Sequence, residues 1–224
     1  MHSHFELSPA DYEARRQGHL QRRRVELVAS DVAEHARAGD LVVEIGCGPG
    51  DVVSRVARTH PEVRFLGLDV DAAMVAHARA VHAASNLTFE QGDITEGRLE
   101  MDARMVFGID VIHHVHDLRR CVEVVTAILD RDGWWTVIEP DSRNPYIWLH
   151  QERMRRAGLD EHHFARRRFE AEARRSGLRV VRRTTAFVVP GSFGSVPAPV
   201  AWLERVVERV PGLGGSVFYG LSPS

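Results

Sequence analysis

Val42-Val-Glu-Ile-Gly-Cys-Gly-Pro-Gly50 decides how this chain is read. The run from Leu41 to Ile45 has the length and β-branched content of a buried strand. It ends in three glycines, Gly46, Gly48 and Gly50. A helical pattern (Val52, Val53, Val56, Ala57) starts at once and stops before Pro61. Glycines let a backbone take positive φ and approach a ligand closely. The helix start adds unpaired N–H groups aimed at that ligand. At the carboxyl end of a strand, this is the binding crevice of an open α/β sheet.

The loop does not suit a pyrophosphate. A dinucleotide turn spaces its glycines Gly-x-Gly-x-x-Gly. Here the spacing is Gly-x-Gly-x-Gly, and position 51 is an acid that repels a diphosphate. Glu44 precedes the first glycine, Asp69 closes the next strand, where an acid grips a ribose diol, and Asp93 follows the third. Four carboxylates around one crevice favour a nucleoside carrying an amino or sulfonium group.

Outward from the loop, strands over Val63–Leu68, Leu87–Gln91, Met105–Ile109 and Trp134–Ile138 alternate with helices over Asp71–Ala84 and Asp117–Leu129. That alternation predicts βαβ units and a parallel sheet. Pro9–Ala38 reads as one or two helices before the first strand. Residues 147–176 read as two Arg-rich helices joined near Gly158, and Leu178–Val189 as a strand. Pro190–Pro199 reads as a loop. Ala201–Val210 reads as an amphipathic helix with Trp202, Leu203, Val206, Val207 and Val210 on one side. Pro211–Gly215 reads as a turn and Ser216–Leu221 as a last strand.

Composition narrows the class. The chain has 224 residues, 44% of them apolar and 27% charged, enough for one domain with a sizeable core. Two cysteines, Cys47 and Cys121, exclude a disulfide framework. No apolar run approaches the ~18 residues of a membrane span, and Met1–Asp11 has no signal core, so a cytoplasmic protein is expected. A net charge of −2 argues against a general nucleic-acid coat. All 29 basic residues are Arg, a bias that GC-rich codons produce without selection. Twelve of them fall in residues 143–183 against five acids. With little aromatic interleaving, that cluster suits an acidic small molecule better than RNA.

Five stretches in order and register resemble the class I S-adenosylmethionine-dependent methyltransferases. They are Val43-Glu-Ile-Gly-Cys-Gly-Pro-Gly50, Gly67-Leu-Asp-Val-Asp71, Gln91-Gly-Asp-Ile94, Gly108-Ile-Asp-Val-Ile-His-His-Val115 and Ile138-Glu-Pro-Asp-Ser-Arg-Asn-Pro145. The resemblance covers residues ~40–145 and implies a doubly wound, mostly parallel seven-stranded sheet. Strand seven would be antiparallel, with helices on both faces. It implies an N-terminal helical lid over 1–38 on a single S-adenosylmethionine-binding domain over 39–224. The implied cofactor is S-adenosyl-L-methionine and the product S-adenosyl-L-homocysteine.

The resemblance also assigns residues. Glu44, Gly46 and Gly48 would lie by the methionine part, with Cys47 packing in the loop. Asp69 would take the ribose hydroxyls and Val70 the adenine face. Asp93 would accept from the adenine amino group, with Ile94 on the ring. Gly108, Ile109 and Asp110 would hold the ammonium through their backbone. Tyr12 of the lid would reach the methionine end, on a helix face shared with Arg16, His19 and Arg23. His113 and His114 are the candidate general bases. Asn144, Tyr146, Trp148, His150 and His163, with His162 beside it, are candidates for the acceptor pocket. A small-molecule acceptor is expected, with O-methylation ahead of N- or C-methylation and specialised-metabolite biosynthesis as the setting. A tRNA or protein methyltransferase, or a cofactor-binding protein with another reaction such as cyclisation, are the alternatives. A metal-dependent catechol-type acid cluster is not visible, so no metal is expected. Neither nucleic acid nor membrane is an expected partner, and the Trp202–Val210 helix is a candidate homodimer face.

Overall fold

A computed structural model of the chain describes residues 7–96, 100–159, 161–189, 194–208, 210 and 213–224. Residues 190–193 of the expected loop, residue 209 of the expected last helix and residues 211–212 of the expected turn lie outside the described residues. The strands are β1 (Leu41–Ile45), β2 (Arg64–Asp69), β3 (Leu87–Gln91), β4 (Ala103–Ile109), β5 (Leu129–Pro140), β6 (Leu178–Ala186) and β7 (Ser216–Pro223). They form one seven-stranded sheet in the order β3-β2-β1-β4-β5-β7-β6. β1 to β5 pair in parallel, and β7 runs antiparallel to both β5 and β6. This is the expected doubly wound sheet with its antiparallel seventh strand. β1 and β4 sit side by side where the strand order reverses, which opens a crevice at their carboxyl ends.

Two apolar layers sandwich the sheet. On one face, α2 (His19–His35), α3 (Asp51–Thr59) and α4 (Ala72–Val81) bury Val28, Val32, Val52, Val56, Val75 and Ala78 against Val42, Phe65, Met105 and Phe107. On the other, α5 (Leu118–Ile128) and α7 (Arg166–Arg175) bury Cys121, Val122, Val125, Phe169 and Ala173 against Val43, Val106, Trp135 and Tyr219. Parallel strands covered on both faces are apolar almost throughout, and Leu41–Ile45 reads that way. The caps expected at Asp71 and Asp117 are present: Asp71 accepts from the N–H of Ala73 and Asp117 from that of Arg120. Among the described residues, no helix is long and apolar enough to cross a membrane.

One helix face differs from the sequence expectation, and a second is oriented by partners far away in sequence. The N-terminal segment breaks into α1 (Pro9–Arg15) and α2, with Gly18 capping the second. Tyr12 and Arg16 therefore do not share a face with His19 and Arg23. Leu20 and Arg24 take that place at the crevice. The apolar side of the last helix, α8 (Ala198–Val207), is turned outward, which leaves the candidate homodimer face exposed. Trp202 is 66% exposed and Leu203 53%, whereas Glu204 is buried. Ion pairing decides this orientation. Glu204 takes His19 Nε2 at 2.6 Å and the Val189 N–H at 2.9 Å. Glu208, just past the helix, takes Arg23 Nη2 at 2.9 Å and the Phe187 N–H at 2.8 Å. Buried carboxylates need such partners, and α2 supplies them.

The edge of the sheet is held by another buried acid. Asp31 of α2 accepts from Thr136 Oγ1 at 2.5 Å, Arg182 Nη2 at 2.5 Å and Trp134 Nε1 at 3.3 Å. Asp31→Ala strands these donors, Arg182 foremost. Urea unfolding of that variant is expected to show a loss of about 3 kcal/mol, the scale for breaking a buried pair. A loss under about 1 kcal/mol would show that the three donors find water instead.

Candidate active site

The crevice opens into a cavity of about 910 Å³. Its floor is the loop from β1 to α3. Gly46, Gly48 and Gly50 all have positive φ. A Cβ on Gly46 would run into Val111, and one on Gly50 would lie 2.6 Å from Phe89 Cε1. Those two are glycine for packing as well as conformation. Gly48 differs, because a Cβ there would meet nothing nearer than Tyr12 Cε1 at 4.0 Å. It faces the cavity.

Three carboxylates at this loop line the cavity, and all of them also bond to the chain around it. Glu44 is buried, and its Oε2 accepts from the Val53 N–H at 3.1 Å, capping α3 from inside. Burial, and then Asp51 beside it, hold its pKa well above the ordinary range. Asp51 is buried and accepts from Gln21 Nε2 at 2.5 Å. Asp69 Oδ2 accepts from the Gly48 N–H at 2.6 Å and Oδ1 from the Asp71 N–H at 2.9 Å. Burial raises its pKa while those backbone donors lower it. Each oxygen keeps a lone pair for a further donor. Val70 is 45% exposed and lines the cavity beside it.

The opposite wall comes from the N-terminal helices and the end of β4. Arg16 Nη1 donates to Tyr12 Oη at 2.5 Å, and Arg24 pairs with Asp110. Burial pulls the Arg24 guanidinium down, and Asp110 opposes that. Burial likewise opposes the Asp110 carboxylate, yet Arg24 and Arg16 hold its pKa below the usual value. Arg16 Nε, Arg24 Nε and Asp110 Oδ1 are buried and find no hydrogen-bond partner in the chain. Arg16, Arg24 and Asp110 all line the cavity.

Past β4, Asp110 turns with φ 53° and donates its N–H to the Ile138 carbonyl at 2.8 Å. A single 3-10 turn over Ile112–His114 follows. Glu139 of β5 is fully buried beneath it. Its Oε1 accepts from the N–H groups of Val111 at 3.0 Å and Ile112 at 2.7 Å. Its Oε2 accepts from the His113 N–H at 3.3 Å and lies 2.6 Å from His113 Nδ1. Burial works against the His113 cation, but Glu139, Asp110 and Glu161 lift its pKa to about 9. His114 lines the cavity with its ring 4.0 Å from that of His113.

Of the residues expected from sequence, Tyr12, Glu44, Gly46, Cys47, Gly48, Asp69, Val70, Ile109, Asp110, His113, His114, Tyr146 and His150 line this one cavity. Cys47 is buried in the loop, and burial with Glu44 and Asp69 pushes its thiol up, so it stays neutral. Five others are not brought to the cavity wall. Asp93 spends Oδ1 on the N–H and hydroxyl of Thr95, each at 2.7 Å. Ile94 joins the core, and Gly108 is buried against Ile45 and Val111. Asn144 caps α6 (Pro145–Arg156), accepting from Tyr146 N–H at 3.0 Å and donating to the Leu213 carbonyl. His163 is exposed, bonded to Gln151 Oε1 at 3.1 Å and stacked near Trp148. The cavity also takes Leu20, Arg24, Gln151, Met154, Glu161 and Phe187, which sequence reasoning missed. The pair Arg16 and Arg24 carries a signal only if the helix break at Gly18 is foreseen. Glu161 lies on a connecting segment whose path no local pattern gives.

A doubly wound sheet with a glycine crevice at its switch point, an acid at the end of β2 and two N-terminal helices beside it has the Rossmann-like form. A family model described as a methyltransferase domain matches residues 42–133. A stretch of 55 residues is 49% identical to trans-aconitate 2-methyltransferase of Deinococcus radiodurans, covering 25% of this chain and 21% of that protein. The matches span less than half the length of the first such curated relatives. The fold is shared with a Haloferax volcanii methyltransferase solved in complex with the Trm112 activator. That likeness has a TM-score of 0.68 at 22% identity over 96% of this chain and 93% of that one. It is also shared with magnesium protoporphyrin IX methyltransferase of Synechocystis PCC 6803 with bound S-adenosylhomocysteine. There the TM-score is 0.64 at 17% identity over 90% and 83%. Residues 42–133 thus match a methyltransferase domain, and the chain shares its fold with solved methyltransferases.

The buried Glu44 makes a pH-dependent prediction. A carboxyl whose folded pKa is raised adds stability below its ordinary value of 4.5 and loses it as pH rises through the folded value. Glu44→Gln keeps an acceptor for Val53 without the charge. The unfolding free energy of the variant relative to the native chain is expected to climb as pH rises above 4.5. Parallel profiles in denaturant titrations from acid to neutral pH would show that burial does not disfavour the Glu44 charge.

Proposed function

We propose that this chain transfers a methyl group from S-adenosylmethionine to a small-molecule acceptor, oxygen being the favoured atom. The observation that carries the reading is the set of buried, unpartnered polar atoms at the cavity, Arg16 Nε, Arg24 Nε and Asp110 Oδ1. Two cationic donors and an anionic acceptor suit an amino-acid zwitterion, with its carboxylate toward the arginines and its ammonium toward Asp110. Asp69 and Val70, across the glycine loop, suit a ribose diol and a flat base. S-adenosylmethionine joins those two ends in one molecule and, when bound, supplies an electrophilic methyl on sulfur.

In this reading the chain's own residues position and enclose. α1 buries none of its own residues and places Tyr12 over Gly48, so it serves as the lid of the proposed 1–38 segment on the 39–224 domain. Water exclusion and alignment are the main contributions a protein makes to such a displacement. Tyr146, His150 and Met154 of α6 form the acceptor side. His114, at the cavity wall, is the proposed proton acceptor for an acceptor hydroxyl. His113, bonded to Glu139, is the positioning partner. The relatives named for trans-aconitate support a carboxylate-bearing acceptor, and the arginine excess over residues 143–183 fits an acid. Both cysteines are free, and the cytoplasm is the proposed compartment.

The test is calorimetry with S-adenosylhomocysteine on the native chain, Asp69→Ala and Arg24→Met. Losing a hydrogen bond to a charged group costs about 1.5–3 kcal/mol, so each variant is expected to bind about 10- to 100-fold more weakly. Native binding that both substitutions leave untouched would remove these residues from the cofactor site. Methyl-donor consumption with a panel of hydroxy- and carboxy-acids then tests the acceptor class.

A further inference from the structure

Below the acceptor side of the cavity, the fold brings a distant carboxylate to an adjacent pair of histidines. His113, His114 and Glu161 each offer a ligand atom, and these atoms lie within 4.8 Å of one another. His113 Nε2 is 3.6 Å from Glu161 Oε1. Bonds of about 2.0–2.2 Å to zinc place tetrahedral ligand atoms roughly 3.3–3.6 Å apart, so that pair already has the needed separation.

The surroundings are those of a metal site. A ligating histidine is usually held by a carboxylate on its other nitrogen. Glu139 holds His113 at Nδ1, fixes the ring by taking the N–H groups of its own turn, and leaves Nε2 toward Glu161. Glu161 is held in turn, with its Oε1 accepting from Gln151 Nε2 at 2.9 Å. Gln151 is buried and also donates to the His162 carbonyl at 3.0 Å. All three ligand residues, and Gln151, line the cavity. The second such cluster among the described residues, Asp31, Glu34 and His35, lacks this character. Asp31 is already taken by Thr136, Trp134 and Arg182, and the His35 ring stacks on Trp134 at 3.8 Å.

We propose that His113, His114 and Glu161 bind one divalent first-row transition ion, zinc or ferrous iron, with its remaining coordination positions open to the cavity. Two neutral imidazoles and one carboxylate on a dication leave one positive charge. That charge favours an anionic oxygen ligand, and three protein ligands leave room for a chelating one. The acceptor class is therefore a hydroxy- or oxo-carboxylate that binds the ion through two oxygens. With the ion bound, His113 and His114 are ligands and the ion replaces His114 as the means of activation: a hydroxyl on the ion loses its proton to solvent more readily than in water, which supplies an anionic oxygen next to the cofactor crevice. The sequence expectation of no metal rested on a missing acid cluster. Here the third ligand arrives 47 positions after the second, from a segment between α6 and α7. This acceptor class rests on the methyltransferase reading. The ion site does not.

The test uses the full chain, stripped by chelator dialysis and titrated with Co(II), read by visible d–d absorption and by stoichiometry. Zn(II) competition and S-adenosylhomocysteine calorimetry are run alongside. The expected result is one equivalent of Co(II), displaced by Zn(II). Binding should be about 10- to 100-fold weaker in Glu139→Gln and lost in His114→Ala and Glu161→Gln, while Glu161→Gln keeps its affinity for the nucleoside. Oxalate, the probe chelator, is expected to shift the Co(II) bands. Nucleoside-binding native protein that takes up no Co(II), or binds it equally well in His114→Ala and Glu161→Gln, would overturn the site. Bound Co(II) with bands unmoved by oxalate would overturn the acceptor class. Co(II) uptake without nucleoside binding would leave the ion site standing and sink the methyltransferase reading.

Discussion

The carboxylate of Glu139, buried at the end of β5, holds the working end of this molecule together. It receives three backbone N–H groups and one imidazole nitrogen. An unpaired carboxylate at that depth would be very costly, so the turn after β4 must wrap around it. That requirement bends the chain at Asp110 into positive φ, seats Val111 against Gly46, and sets His113 and His114 at the cavity wall. The glycine loop and the histidine turn are thus neighbours that shape each other. Gly46 must be glycine partly because Val111 occupies the space a side chain would need.

Around this anchor, charge is distributed by depth. Glu44 and Asp51 are buried and satisfied by the chain itself, and they build the start of α3. Asp69 and Asp110 stand nearer the cavity with capacity to spare, opposite Arg16 and Arg24. The count of acids that suggested a cationic nucleoside from sequence was therefore a mixture of structural and ligand-facing groups. The zwitterion fit depends equally on the two arginines, which come from helices outside the core βαβ pattern.

Much of this was legible in the sequence. The Leu41–Gly50 stretch specifies strand, turn and helix through residue type alone, and its neighbours repeat the pattern. Asp69 and the His113–His114 pair sit at strand ends, where an open sheet places its site whatever the loops do. What the sequence does not show has two sources, local caps and long-range partners. Asp93 and Asn144 satisfy local backbone instead of facing the cavity. The last helix turns its tryptophan outward because Glu204 and Glu208 meet His19 and Arg23, more than 180 positions away. Helical periodicity on a single segment cannot register such a pairing. Arg24 and Glu161 were missed for the same reason.

In the proposed function, one cavity grips both ends of an S-adenosyl amino acid. A crystal structure of the chain with S-adenosylhomocysteine tests it most directly. The ribose hydroxyls are expected on Asp69, the adenine against Val70, and the amino-acid carboxylate within hydrogen-bond reach of Arg16 or Arg24. A nucleoside bound away from the Gly46–Gly50 loop, or bound there with its amino-acid end pointing away from both arginines, would contradict it.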